Sequence, residues 1–354
     1  MRWFKVLGKA AIAIGLVFPA PAASAQATTW YDNSAVVFPG SNSGSVWASS
    51  PSDVWLAGGV FNLQHWNGSS WSMPTQPGTY NRYQVFGLST GQVYTSGQNG
   101  YQSGAIHSCT AIVCSTIYTA ETELIGLWAR SSTDLFVAGD GIIRHFNGST
   151  WVNLPTGLSS AFNVNRFESI SGGETRTFFV GRNGMIYSYN GSTLTQLASG
   201  TLKGLSAVTA LSDNFAVAVG GSGTILVWNG FAWSPMASGT TEDLMGVFAL
   251  SPTSIYATGA NGTVRYFNGT SWSPVDIGIG GMLGGPYALS ETQIYIPRAN
   301  GMYGEVITSD ASLNGRLLIK TTVPEPSTAA LLVFGAAFIG VAYRRKTNNS
   351  DAVH

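Results

Sequence analysis

Charge is what this chain has least of. Only 10% of its 354 residues are charged, 17 basic against 17 acidic, for a formal net charge of zero. A globular domain carries roughly 25%. Sparse, balanced charge with no Lys/Arg run in the body of the chain lacks the electrostatic footprint of a nucleic-acid-binding protein, so no DNA or RNA partner is expected. Histidine is also scarce, at four residues, and cysteine is limited to Cys109 and Cys114. Acid–base catalysis draws on such groups, which tilts the reading away from an enzyme. No Gly-x-Ser-x-Gly elbow, His-Glu-x-x-His pair or phosphate-binding glycine loop occurs. No metal and no cofactor are expected.

What the chain has is glycine, 44 residues of it, and a phrase that keeps returning. The cleanest copy runs from Met245 to Trp272. Its β-branched and aromatic residues predict strands over 247–250, 255–258 and 263–267, with a fourth carrying Trp272. Gly259-Ala260-Asn261-Gly262 and Asn268-Gly269 supply the positive-φ positions of tight turns. The glycine ending the second strand recurs at Gly58, Gly97, Gly139, Gly181, Gly220 and Gly259, and Pro297 stands in the seventh place. Four strands at a period of about 40 predict the blades of a β-propeller rather than a helical solenoid. The fold class read from this is all-β, a seven-bladed propeller of four-stranded antiparallel blades. The copy around Val93 replaces the Asn-Gly turn with a segment from Cys109 to Cys114. The seventh copy lacks its own last strand. Trp30 to Val37 is the expected closing strand, with Leu317 to Lys320 as the alternative.

The ends of the chain carry different signals. Residues 1–25 read as a secretory signal peptide: Arg2, Lys5 and Lys9, an apolar Ala10 to Phe18, and a small-x-small cleavage site at Ala25 before Gln26. Residues 26–320 form the repeat domain. In an oxidising compartment Cys109 and Cys114 are expected to close a hairpin as a disulfide, while a zinc site recruiting His107 would lack ligands. Residues 321–328 are a proline-stiffened junction, and 329–343 are almost wholly apolar, just long enough for a transmembrane helix. Arg344, Arg345 and Lys346 open a basic tail, 344–354, expected on the cytoplasmic side with the propeller outside.

Val323-Pro324-Glu325-Pro326-Ser327-Thr328, a short hydrophobic helix and Arg344-Arg345 resemble the PEP-CTERM sorting signal. The resemblance implies an exopolysaccharide-making Gram-negative bacterium. It also implies an exosortase partner that recognises Pro324, Glu325 and Pro326 and processes the tail. The expected course is inner-membrane anchoring with the propeller in the periplasm, then sorting to the cell surface or matrix.

Inside the repeats, Asp53, Asp134 and Asp213 sit at or near one repeat position and are read as turn-formers accepting backbone N–H bonds. Asn67, Asn147, Asn190 and Asn268 match the glycosylation pattern but are read first as hairpin turns. The Asn-Gly-x-x-Trp phrase resembles the Asp-box of sialidase-type propellers with Asn in place of Asp, too short a match to imply the activity, and the arginines form no recognisable motif. Among carboxylates outside the repeat pattern, Glu168, Glu174, Glu242 and Asp243 are the candidates for glycosidase chemistry, which needs two at suitable spacing. The repeat tryptophans are expected in inter-blade packing. Tyr80, Tyr83, Tyr101, Tyr118, Phe162 and Tyr303 fall outside the pattern and are the candidates for ligand contact. The expected function is a surface-sorted binding or structural propeller of the exopolysaccharide or biofilm layer. The alternatives are a secreted polysaccharide hydrolase or lyase using the central pocket, and an assembly or folding factor, a part played by propellers of similar phrasing.

Overall fold

Residues 28–33, 44–58, 63–78, 81–100, 103–278, 280–299 and 316–322 are described in a computed structural model. The signal segment, the Pro324–Glu325–Pro326 tripeptide, the apolar 329–343 and the basic tail lie outside the described residues, as do Tyr80, Tyr101 and Tyr303. No helix among the described residues is long and apolar enough to cross a membrane.

Six four-stranded antiparallel sheets follow one another along the chain, over 45–72, 82–120, 124–154, 167–197, 205–235 and 244–274, each joining its strands in sequence order. The seventh sheet holds Tyr287–Ser290, Gln293–Ala299, Arg316–Thr322 and Thr28–Asn33, with the short Met282–Leu283 also paired to Gln293–Ala299. We number these blades 1 to 7. The first strand of each blade packs on the first strand of the next, and blade 7 meets both blade 6 and blade 1, so the ring is closed. Both expected closing strands are used. Arg316–Thr322 is the third strand of blade 7, and the N-terminal strand, Thr28–Asn33, overlaps the expected 30–37 and is the outermost; 34–37 lie outside the described residues.

The repeat glycine has a steric cause. A Cβ on Gly259 would stand 2.1 Å from the Asp243 carbonyl oxygen, and one on Gly139 would stand 1.7 Å from that of Glu123. In blades 2 to 6 the end of the second strand is pressed onto the residue that precedes the first, and only glycine leaves room. At the other end of the blade, Asn268 Oδ1 accepts the N–H groups of Thr270 at 3.0 Å and Ser271 at 3.1 Å, while Gly269 takes φ 94°. The Asn-Gly phrase is therefore a side-chain-locked hairpin turn, repeated at Asn67, Asn147, Asn190 and Asn229.

That turn sets two aromatics opposite each other, their rings tilted, across the outer hairpin. Trp66 lies opposite Trp71, Phe146 opposite Trp151, Trp228 opposite Trp233 and Phe267 opposite Trp272, with centroids 5.4–5.8 Å apart. Trp228 and Trp233 then meet Phe178 of the preceding blade edge-on at 5.4 and 5.3 Å. Among the described residues the buried apolar side chains form seven clusters, one in each gap between neighbouring blades. Burial there, worth roughly 25 cal/mol per Å² of apolar surface, holds the ring together blade by blade. In blade 2 Cys109 and Cys114 face each other across the outer hairpin with their sulfurs 2.13 Å apart, at disulfide distance.

Asp53 and Asp134 do not act through backbone N–H groups as expected. Asp53 Oδ1 accepts from Trp55 Nε1 and meets His65 Nε2, both at 2.8 Å, and Asp134 meets His145 Nε2 at 2.7 Å and the Arg130 guanidinium. The strand register explains this, since His65 and His145 lie opposite Trp55 and Phe136 and stack on them at 4.3 Å. Asp213 does accept backbone N–H groups, at Thr175 and Arg176, but they belong to the neighbouring blade.

Candidate functional site

The close contact at the repeat glycine creates one special pair of positions in each of blades 2 to 6. The residue after the glycine donates its N–H to the carbonyl of the residue that precedes the first strand. This bond joins Gln98 to Asn81, Arg182 to Arg166, Gly221 to Gly204 and Ala260 to Asp243, at 2.9–3.0 Å. In blade 3 the corresponding residues are Asp140 and Glu123. All these pairs lie at the same end of the ring, because every first strand begins there. The frame repeats while the residues on it do not: amides in blade 2, acids in blade 3, arginines in blade 4, glycines in blade 5.

A cavity of about 690 Å³ opens at this end, lined by residues of all seven blades, among them Ser45, Gln84, Ile125, Glu168, Ser206, Met245 and Gly285. It is the mouth of the central channel. On the side of blades 2 to 4 a line of polar groups runs from the interior to the rim. Gln98 Nε2 donates to Glu123, whose side chain is 4% exposed. Glu123 faces Arg166 Nη1 at 3.4 Å, Arg166 Nε faces Glu168 at 3.3 Å, and Glu168 faces Arg182 Nε at 3.4 Å. Exposure rises along this line to 38% at Arg182. Two guanidiniums and two carboxylates alternate, so the line is neutral. Burial alone would lower the Arg166 pKa, but the Glu168 and Glu123 carboxylates raise it above its ordinary value. Tyr83, under the Arg166 guanidinium at 6.0 Å, is held far above the usual phenol range by burial and by Glu123. Asp140 is fully buried beside this line, and burial pushes its pKa up against the lowering pull of the Asn163 backbone N–H and the Arg166 charge.

The loop from blade 3 to blade 4 is pinned over the mouth. Arg182 donates to the Asn163 carbonyl at 3.0 Å, and Asn163 itself takes φ 64°. The loop thereby sets Phe162, 47% exposed, on the rim of the cavity. The opposite wall is apolar, with Ala207, Met245 and Met282. The mouth can thus offer an aromatic face, an uncharged apolar wall and a row of fixed donors and acceptors to one ligand. No group of three or more metal-ligating side chains suited to an ion occurs among the described residues.

The structure sorts the candidates read from sequence. Tyr83 and Phe162 line the mouth together with Glu168. Tyr118 does not; it stacks on Trp151 at 4.5 Å and accepts from Arg144 through its hydroxyl. Glu174 sits in a turn at the opposite end of blade 4. Glu242 accepts from Asn261 at 2.8 Å and Asp243 from the Ser222 N–H at 2.7 Å, so both brace the turns of neighbouring strands. Sequence alone does not single out Glu123, Asp140, Arg166 and Arg182; of the arginines, which form no motif along the chain, Arg166 and Arg182 meet at the mouth. The one signal that could have found them is the non-repeating pair of positions flanking the repeat glycine.

Residues 322–346 match the family model described as the PEP-CTERM protein-sorting motif. No curated protein matches the chain by sequence. Among solved structures, YCF48 from Cyanidioschyzon merolae is 13% identical, covering 83% of this chain and 98% of that one, with a TM-score of 0.60. YCF48 bound to D1 peptide is 15% identical over 83% and 97%, with a TM-score of 0.60. The WD40 β-propeller domain of Doa1 is 12% identical over 84% and 97%, with a TM-score of 0.63. At such identities the likeness shows the fold alone. The sorting motif marks an exosortase-sorted, exported chain addressed to the cell envelope or surface.

Proposed function

We propose that this PEP-CTERM protein, a sorting tail joined to a seven-bladed propeller, is a cell-surface glycan-binding module that engages exopolysaccharide through its channel mouth. The observation that carries the reading is the mouth itself: in a chain 10% charged, five charged side chains (Glu123, Asp140, Arg166, Glu168, Arg182) gather beside one cavity with an exposed aromatic on its rim. Cavities of roughly 300–1,000 Å³ that join apolar walls to a few fixed polar groups are the usual form of small-ligand sites.

In this reading the signal peptide, residues 1–25, is cut between Ala25 and Gln26. The propeller folds in the periplasm, where Cys109 and Cys114 oxidise, while 329–343 spans the inner membrane and 344–354 stays cytoplasmic. The exosortase then reads Pro324, Glu325 and Pro326.

A second reading, hydrolysis or lysis of the polysaccharide, is favoured by one feature: Glu123 and Glu168 converge on Arg166 at the mouth. Against it, each carboxylate is engaged by a guanidinium, and the remaining acid, Asp140, is closed off from solvent. A glycan array probed with the full chain, with reducing-end release followed in the same wells, separates the readings. Binding without release is the expected result. Release that disappears in Glu168→Gln would make the chain an enzyme. Silence in both would overturn the glycan reading and turn attention to peptides, the class of ligand bound by one structural neighbour, YCF48 with its D1 peptide.

A further inference from the structure

We infer that the channel mouth is built for a neutral sugar residue rather than an acidic one, with Phe162 as the stacking face and Glu168 and Arg182 as a paired acceptor and donor for adjacent hydroxyls. This rests on the glycan-binding reading and narrows it.

The charge balance comes first. The polar wall holds two guanidiniums and two carboxylates in alternation, at 3.3–3.4 Å, so neither arginine is left over for a ligand carboxylate. Asp140 adds a third, fully buried acid beside them, so three acids share two guanidiniums. A uronate or phosphate entering here would have to displace Glu168 from Arg182 and then sit beside the displaced group. Like charges at such spacing cost more than the exchange returns.

A hydroxyl pair needs no displacement. Glu168 is acceptor-only and Arg182 donor-only, and they lie side by side with exposures of 25% and 38%. Two vicinal hydroxyls can donate to the first and accept from the second while that ion pair stays in place. Charge-assisted bonds of this kind are the strong ones, and the geometry selects a diol.

The rest of the cavity fits the other aspect of a sugar ring, its band of C–H groups. Phe162 stands 47% exposed at the rim, and Ala207, Met245 and Met282 form the far wall. An exposed phenylalanine beside a cavity covers apolar surface when an apolar face lies against it. Beneath the rim, Glu123 and Arg166 are 4% and 13% exposed, which suits them to hold Glu168 in position rather than to touch the ligand.

The test is calorimetric titration of the full chain with neutral glucan, mannan and galactan oligosaccharides on one side and with oligogalacturonate and alginate oligomers on the other. At least one neutral series is expected to bind, and the acidic series more weakly or not at all. Phe162→Ala and Glu168→Gln should each weaken the neutral binding by about tenfold, the effect of truncating one anchor. Phe162 is a rim residue and Glu168→Gln keeps the side-chain shape, so an unchanged unfolding midpoint confirms that the variants are folded. Tighter binding of the acidic oligomers, or neutral binding that neither variant changes, overturns the inference and leaves the glycan reading standing. Absence of binding by both classes overturns both.

Discussion

Blades 2 and 6 share one frame and are held by different means. Blade 6 keeps the full repeat. Its outer hairpin turns on Asn268-Gly269, its last strand is the three-residue Trp272–Pro274, and Trp272 sinks into the gap towards blade 5 and donates to Met236 Sδ at 3.1 Å. Blade 2 has no Asn-Gly turn in its outer hairpin and no tryptophan on its last strand. There the hairpin is crossed by Cys109 and Cys114, and the last strand, Cys114–Ala120, runs for seven residues. The chain leaving blade 1 is strapped to this hairpin at Thr75, which donates to the Ile112 carbonyl at 2.7 Å and accepts from the Cys114 N–H at 2.8 Å. The interior of blade 2 is also polar. Arg82 is buried and donates to Gln76 and the Pro77 carbonyl, and His107 is fully buried with neither ring nitrogen hydrogen-bonded. A blade can therefore lose its aromatic pair and accept a buried base if a covalent cross-link and a longer ladder replace what packing supplied elsewhere.

The largest effect should come from the apolar side of this contrast. Trp272→Ala should cost about 3–5 kcal/mol in denaturant unfolding, the usual range for emptying a buried tryptophan site. A loss no greater than that of a turn substitution would break the comparison. Next comes an acid limb set by blade 2. Burial first, and then the Arg82 charge, push the His107 pKa from 6.5 down to about 3. The unfolded chain takes up that proton below about 6.5 while the folded chain refuses it until about 3, so the contribution is complete above 6.5 and is lost as pH falls through that window. At about 1.4 kcal/mol per pH unit the loss amounts to several kcal/mol. His107→Leu should flatten the stability profile over this range, and an unchanged acid limb would remove His107 from the account.

Cys114→Ser should cost about 2 kcal/mol, the chain-entropy value for so short a loop, seen as a lower unfolding midpoint that reductant no longer moves. Asn268→Ala should cost the least, about 1 kcal/mol, because Gly269 still makes the turn and only the side-chain acceptor is lost.

The blades were legible in sequence because their signals are local. A carbonyl pressed against Gly259 and an Asx turn at Asn268 are demands of the backbone within one repeat, and each repeat states them again. The channel mouth was not legible for the opposite reason. Glu123, Arg166 and Arg182 are spread over some 60 residues and meet only because two first strands begin, and one second strand ends, at the same end of a closed ring, and nothing in the spacing of the arginines announces it. Tyr83 and Phe162 were within reach because they break the repeat, though the same criterion also selects Tyr118, which packs on Trp151. The partners of Asp53 and Asp134 escape a sequence reading because the facing histidines come from a strand 11 or 12 residues away, set opposite by register.

The seam of the ring has a mechanical consequence. Arg316–Thr322, the last strand before the sorting motif, is clamped between Gln293–Ala299 on one side and Thr28–Asn33 on the other. A pull directed along this strand would load both its ladders together, in shear, instead of peeling an edge one bond at a time. A cut at Pro324 or beyond would remove none of the described strands of the ring. Were the tail first held and then cut, the described strands would keep the ring closed in both states.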